Sequence, residues 1–123
     1  MPSLELKTNV AIADPKAFCL EFSKLAAKTL GKPEVYISVS YTHNEYLTFN
    51  GTFEPAFLLA INSLGNITPD LNEGYSKVFF EFFKSKLGIS DDRGYILFTD
   101  PGNAYIGCVI YFPLPFSSRN FDF

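Results

Sequence analysis

One pattern occurs twice in this chain and constrains it more than any other feature. Asp14-Pro15 and Thr68-Pro69 each set a side-chain oxygen and then a proline ahead of a run with helical spacing, and each run stops at Leu-Gly, first Leu30-Gly31 and then Leu87-Gly88. The oxygen can cap free amides, proline suits the first helical position, and glycine takes the left-handed closing conformation. The first helix is predicted to present Phe18, Phe22, Leu25, Ala26 and Thr29 on one stripe, with Pro33 preventing continuation. The second presents Leu71, Tyr75, Val78, Phe79, Phe82 and Phe83. A strand signal precedes and follows each helix: Leu4–Thr8 and YISVSY (36–41) around the first, Ala56–Leu64 and YILF (95–98) around the second.

The reading is therefore a duplicated β-α-β unit, with halves at about 2–48 and 55–100 inside a single domain spanning 1–123. A helical crossover makes the two strands of each unit parallel. The expected architecture is α/β, a four-stranded mixed sheet with two helices on one face. Two helices cover only one face, yet Ala56 to Ile61 and Tyr95 to Phe98 are apolar at odd and even positions alike. Side chains alternate faces along a strand. A second cover is required, and an oligomer whose sheets face one another supplies it.

Composition matters here for what it excludes. With 47% hydrophobic and 17% aromatic residues the chain can build a core, so disorder is excluded. A net charge of −3 with scattered basic residues gives no nucleic-acid footprint, and Lys84 and Lys86 read as a solvated helix face. Cys19 and Cys108 are too far apart for a metal motif or a disulfide framework and read as buried reduced thiols. The lone His43, in THNE, lacks a second ligand nearby, so neither metal nor cofactor is expected. The apolar run Ala56–Ile61 is too short to insert in a membrane. The opening MPSLELKTNV alternates like a strand rather than a secretory leader. The expected location is the cytosol, or outside the cell by a leaderless route. Of two N-glycosylation patterns, Asn50-Gly51-Thr52 reads better as a turn, and Pro69 makes Asn66-Ile67-Thr68 a poor acceptor.

Pro2 is the unusual residue of the first strand. It donates nothing to a ladder, which a strand start tolerates. If Met1 is removed, however, Pro2 carries a secondary amine fixed at the end of a strand, and that amine is a base.

Five strings occur in an order that resembles the macrophage migration inhibitory factor family of the tautomerase superfamily: TNV (8–10), LGKP (30–33) followed by Tyr36, FNGTFEP (49–55), NSLG (62–65) and Asp92-Arg93-x-Tyr95-Ile96. The resemblance covers about residues 2–107. It implies a homotrimer with a site at each subunit boundary and keto–enol tautomerisation of phenylpyruvate- or dopachrome-type compounds. It also implies a cytokine-like role reached through a cell-surface receptor. Carried over residue by residue, it makes Pro2 the catalytic base. Lys32, Tyr36, the backbone amide of Leu64, Ile106 and, from the neighbouring subunit, Tyr95 become the contacts for a small aromatic keto acid.

The chemistry agrees with those residue types. Enolisation needs a base whose pKa lies near working pH. An α-amino group starts at about 7.7–8.0, and both desolvation and a neighbouring cation move it down. Lys32 suits that cation, and it can also hold a carboxylate by a charge-assisted hydrogen bond. The sequence departs from the family at Leu97, where an asparagine is common, and at Cys108, where an aromatic is usual. A Cys-x-x-Cys motif is absent, since the stretch reads Ala56-Phe57-Leu58-Leu59, which excludes thiol–disulfide exchange by that motif. The tail 109–123 does not resemble the family's short ending. Leu97 and Cys108 favour an alternative, a catalytically weak or inactive trimeric receptor-binding module. A purely intracellular isomerase has the same sequence signature.

Overall fold

The helices form where the proline–glycine punctuation puts them. A computed structural model of the chain describes residues 2–107. Along it run β1 (Ser3–Thr8), α1 (Pro15–Leu30), a 3-10 turn (Glu34–Tyr36), β2 (Ser38–His43), β3 (Phe57–Asn62), α2 (Pro69–Leu87), β4 (Gly94–Thr99) and a second 3-10 turn (Asn103–Tyr105). The Asp14 side chain accepts from the Ala17 amide at 3.1 Å, and Thr68 Oγ1 accepts from the Leu71 amide at 3.2 Å. Gly31 and Gly88 close the helices at φ 67° in both cases, which an L side chain resists.

The sheet order is β2-β1-β3-β4. β1 runs parallel to β2 and β3 parallel to β4, while β1 and β3 meet antiparallel with Ser3 opposite Asn62 and Thr8 opposite Phe57. The two β-α-β halves thus join at their first strands, giving the mixed sheet that the duplication implies. One alternation of strand residues, Leu4, Leu6, Phe57, Leu59 and Ile61, packs under both helices with Phe18, Phe22, Ala26, Leu30, Tyr75, Phe79 and Phe83. Phe22 meets Phe79 at 6.0 Å and Phe83 at 5.6 Å, both edge-on, the geometry that ring quadrupoles favour. Burial of each such ring contributes about 1.5–3 kcal/mol.

Several boundaries differ from the sequence reading. Tyr36 lies in the 3-10 turn rather than in a strand: Pro33 fixes its φ at −59°, and its carbonyl then accepts from the Tyr36 amide at 3.0 Å. β2 consequently starts at Ser38. β3 ends at Asn62 because Ser63–Gly65 turn away, with Gly65 at φ 78°. On α2 the buried row is Tyr75, Phe79 and Phe83 at four-residue spacing, so Leu71 and Val78 face outward. Cys19 is half-buried rather than fully buried and carries a free thiol. His43 closes β2 and is exposed, its Nε2 3.3 Å from the Asn9 carbonyl. Lys84 and Lys86 are exposed, as a solvated face requires, and Lys86 pairs with Glu21 of α1 at 2.9 Å.

The outward face of the sheet divides in two. On β3 and β4 it shows Leu58, Ala60, Tyr95 and Leu97, with Tyr95 63% and Leu97 56% exposed. On β1 and β2 it shows Glu5, Lys7, Ser40 and Thr42. Only the β3–β4 half of this face therefore needs a second cover. A groove of about 300 Å³ runs along the seam between Glu5, Lys7, Leu58 and Leu97.

Candidate active site

Pro2 is fully buried just before β1. Its carbonyl accepts from the Ser38 amide at 3.1 Å, which ties the chain start to the first residue of β2. Continued by one rung, the β1–β3 register sets Pro2 opposite Ser63, next to Leu64. Lys32 follows the Gly31 cap, its backbone amide donating to the Ala27 carbonyl at 3.0 Å. Charged residues in a helix-stop turn are mostly solvated; this one is only 6% exposed. Its Nζ donates to the Leu64 carbonyl at 3.1 Å. The turn holding Tyr36 then connects Lys32 to Ser38. Pro2, Lys32, Tyr36 and Leu64 thus gather at one end of the sheet, and the fold brings a buried ammonium to that end.

Two residues that the sequence did not mark as part of this site hold this end together. Asn66 Nδ2 donates to the Leu30 carbonyl at 3.0 Å, its Oδ1 accepts from Ser63 Oγ at 2.6 Å, and its carbonyl accepts from Tyr75 Oη at 3.0 Å. The Asn66 amide side chain is thus part of the scaffold that binds the Leu64 turn to the end of α1. Asp100 accepts from the Gly65 amide at 3.0 Å and from the Gly102 amide at 3.0 Å. It pins the segment leading to the half-exposed Ile106 against the same turn. The Asp100-Pro101-Gly102 string is a turn signature and was the available signal.

Tyr95 lies apart from this cluster within one chain. It pairs with Leu58, which pairs with Lys7. That is five residues along β1 from Pro2, about 17 Å at the usual strand rise. Its ring packs on Phe49 at 5.3 Å beside an open cavity of about 810 Å³. Leu97 is exposed on the outward face, and Cys108 with the tail 109–123 lies outside the described residues.

Two parallel β-α-β halves joined antiparallel at their first strands have the tautomerase/MIF-like architecture. The family model for macrophage migration inhibitory factor (MIF) matches residues 1–109, and the chain belongs to that family. It is 36% identical over 108 residues to the macrophage migration inhibitory factor of Rattus norvegicus, covering 87% of this chain and 94% of the relative. It is 33% identical over 108 residues to the Trichinella spiralis homologue, covering 87% and 95%. The solved Trichinella spiralis structure superposes with a TM-score of 0.81 at 32% identity, covering 86% of this chain and 95% of that one. The homologue from Prochlorococcus marinus superposes with a TM-score of 0.80 at 30% identity, covering 86% and 94%.

Proposed function

We propose that the protein is a MIF-like homotrimer that enolises small aromatic α-keto acids of the phenylpyruvate or dopachrome type, with Pro2 as base. The observation that carries this reading is the buried Lys32 ammonium on the Leu64 carbonyl, at the end of the sheet where Pro2 is anchored. A cation kept out of water beside a chain-terminal amine favours the neutral, basic form of that amine. It also offers a carboxylate a charge-assisted partner. The Leu64 amide supplies a second donor, Tyr36 and Ile106 line the sides, and Tyr95 enters from a neighbouring chain, which the 17 Å separation within one chain, on the order given by strand rise, makes necessary.

The proton moves from the carbon beside the keto group to the Pro2 nitrogen, leaving an enolate, and is then delivered to the enolate oxygen to complete the enol. Lys32 holds the carboxylate so that the acidic carbon stays in reach. Assembly places the outward Leu58, Tyr95 and Leu97 under a neighbour. Outside the cell, the trimer would act in the cytokine-like manner of its family through a cell-surface receptor; inside the cytosol the same site serves as an isomerase. The deciding experiment is steady-state enolisation of phenylpyruvate by protein whose N-terminus has been verified by mass.

A second reading rests on Leu97. It is apolar and 56% exposed at a position where the family pattern offers a polar substrate contact. In that reading the trimer is a receptor-binding module with little turnover. It predicts no enolisation by N-terminally verified protein while the trimer persists.

A further inference from the structure

Tyr95 projects from the outward face of β4 and is largely exposed, so its own strand leaves the ring loosely determined. What meets it is Phe49, centroid to centroid at 5.3 Å and tilted by 44°. Phe49 is in turn covered on its face by the Arg93 guanidinium, 5.5 Å from the ring centroid. Arg93 precedes β4 by one residue, and so stands two positions from Tyr95.

The guanidinium is itself clamped. Its Nε donates to the Pro55 carbonyl at 2.9 Å and its Nη2 to the Glu54 carbonyl at 3.0 Å, with the Thr52 carbonyl at 3.5 Å. Phe49 opens a tight hairpin whose central residues, Asn50 at φ 53° and Gly51 at φ 70°, both take the left-handed region. Phe49 and Thr52 exchange amide and carbonyl bonds at 3.1 Å each across that turn. From the other side Asn9 Nδ2 donates to the Leu47, Phe53 and Glu54 carbonyls, and Asn9 Oδ1 accepts from the Ala56 amide. The hairpin is thus fastened at both flanks, and its one apolar ring is presented to Tyr95. A planar fork that binds adjacent carbonyls while stacking on an aromatic face is a role specific to arginine.

We propose that Arg93, acting through Phe49, is a positioning residue for Tyr95 and thereby sets the site's affinity for the aromatic part of its substrate. This rests on the reading above, in which Tyr95 lines the site of a neighbouring chain. The stack fixes the plane that the substrate ring meets; the carboxylate end, held by Lys32, is independent of it.

The test uses the full chain labelled with 3-fluorotyrosine, with Tyr95→Phe identifying the Tyr95 signal in the fluorine NMR spectrum. Phe49→Leu and Arg93→Leu should each shift and sharpen that signal, Phe49→Tyr should leave it near its original position, and Arg93→Lys should resemble Arg93→Leu. Phe49→Leu should raise KM for phenylpyruvate by about 3- to 10-fold, the range expected for loss of an ordered aromatic contact, while KM for an aliphatic α-keto acid and kcat for both acids stay unchanged. A Tyr95 signal unmoved in both leucine variants overturns the proposal, as does an equal KM rise for aromatic and aliphatic acids. If the wild type enolises neither acid, the tautomerase reading falls, and the fluorine signal still decides whether Arg93 and Phe49 position Tyr95.

Discussion

Lys32 Nζ donates to the backbone carbonyl of Leu64 at 3.1 Å, so an ammonium on the first residue beyond the Gly31 cap reaches the turn that follows β3. The second half of the chain shows what that position holds when only packing is asked of it. Beyond the Gly88 cap stands Ile89, 1% exposed. A lysine in a niche the repeat fills with isoleucine breaks the duplication where the proposed chemistry needs a cation.

Lys32→Met should therefore separate fold from function. Replacing a buried charge by an apolar chain of similar volume is often neutral, and losing one hydrogen bond to the Leu64 carbonyl costs about 1 kcal/mol. The variant is thus expected to remain folded and trimeric. KM for phenylpyruvate should rise at least about 10-fold, the loss of a charge-assisted bond worth roughly 1.5–3 kcal/mol. KM for its methyl ester should rise much less. Equal losses for acid and ester would remove Lys32 from the substrate role.

Much of this was legible in the sequence because local rules act alone there. The caps at Asp14 and Thr68 and the stops at Gly31 and Gly88 depend on one or two residues each, and the helices follow them. The Asn50-Gly51 turn was equally local. What resisted reading depended on a competing local turn or on distant partners. Tyr36 has the look of a strand residue, but the 3-10 turn is set by Pro33 and closed by the Tyr36 amide. Leu71 and Val78 satisfy a helical stripe, but the face that meets the sheet is the row Tyr75, Phe79 and Phe83, and the other two stay exposed. Burial of Lys32 and the Asn66 bond to the Leu30 carbonyl are relations across the join between the halves, and Asp100 reaches back along the second half to Gly65; periodicity encodes none of these.

The apolar half of the outward face leads to a prediction about assembly. Sedimentation should give three times the single-chain mass at micromolar concentration. Leu58→Glu should reduce that to one. Leu58 stands directly opposite Lys7, so a carboxylate there finds a cation in the isolated chain and loses water only when a neighbour covers it. A single-chain mass for wild type, or an unaltered trimer in Leu58→Glu, would sink the placement of the interface on β3 and β4.

Gly94 accommodates the Phe57 ring. A methyl group placed on Gly94 would overlap the Phe57 side chain, which also packs on Phe83 at 4.7 Å and Phe80 at 5.1 Å. Gly94→Ala should destabilise by about 1–3 kcal/mol, as overpacking does. Combined with Phe57→Leu it should cost less than the sum of the two single changes. Urea unfolding at one fixed protein concentration checks this, and strict additivity would refute it.

Burial raises the Cys19 thiol above its ordinary pKa. The folded protein then holds that proton more tightly than the unfolded chain does. The associated stability is complete below the ordinary thiol range and is lost as pH rises through the raised value. At neutral pH the thiolate is scarce, so iodoacetamide should label Cys19 several-fold more slowly than in the urea-unfolded chain, with the gap narrowing at alkaline pH. Peptide mass mapping reads this directly, and equal labelling rates at pH 7 would contradict it.

Pro2 carries the final prediction. Its carbonyl accepts from the Ser38 amide and its ring is buried, which anchors Pro2 at the start of β1. What changes with Met1 is the chemistry of the Pro2 nitrogen. Behind Met1 it is a tertiary amide with no basic lone pair; at a processed terminus it is a secondary amine. Removal of Met1 should therefore switch phenylpyruvate enolisation on without altering the melting temperature by more than a few degrees. Pro2→Gly keeps a terminal amine but frees the torsion that the ring fixes, so it should lose most of the rate while retaining the trimer. In the processed enzyme kcat/KM should fall as pH drops and the amine becomes protonated. Lys32→Met removes a neighbouring cation and should shift that limb of the profile upward. If protein retaining Met1 is as active as processed protein, Pro2 is only the start of a strand, and receptor binding by the trimer becomes the better account of this chain.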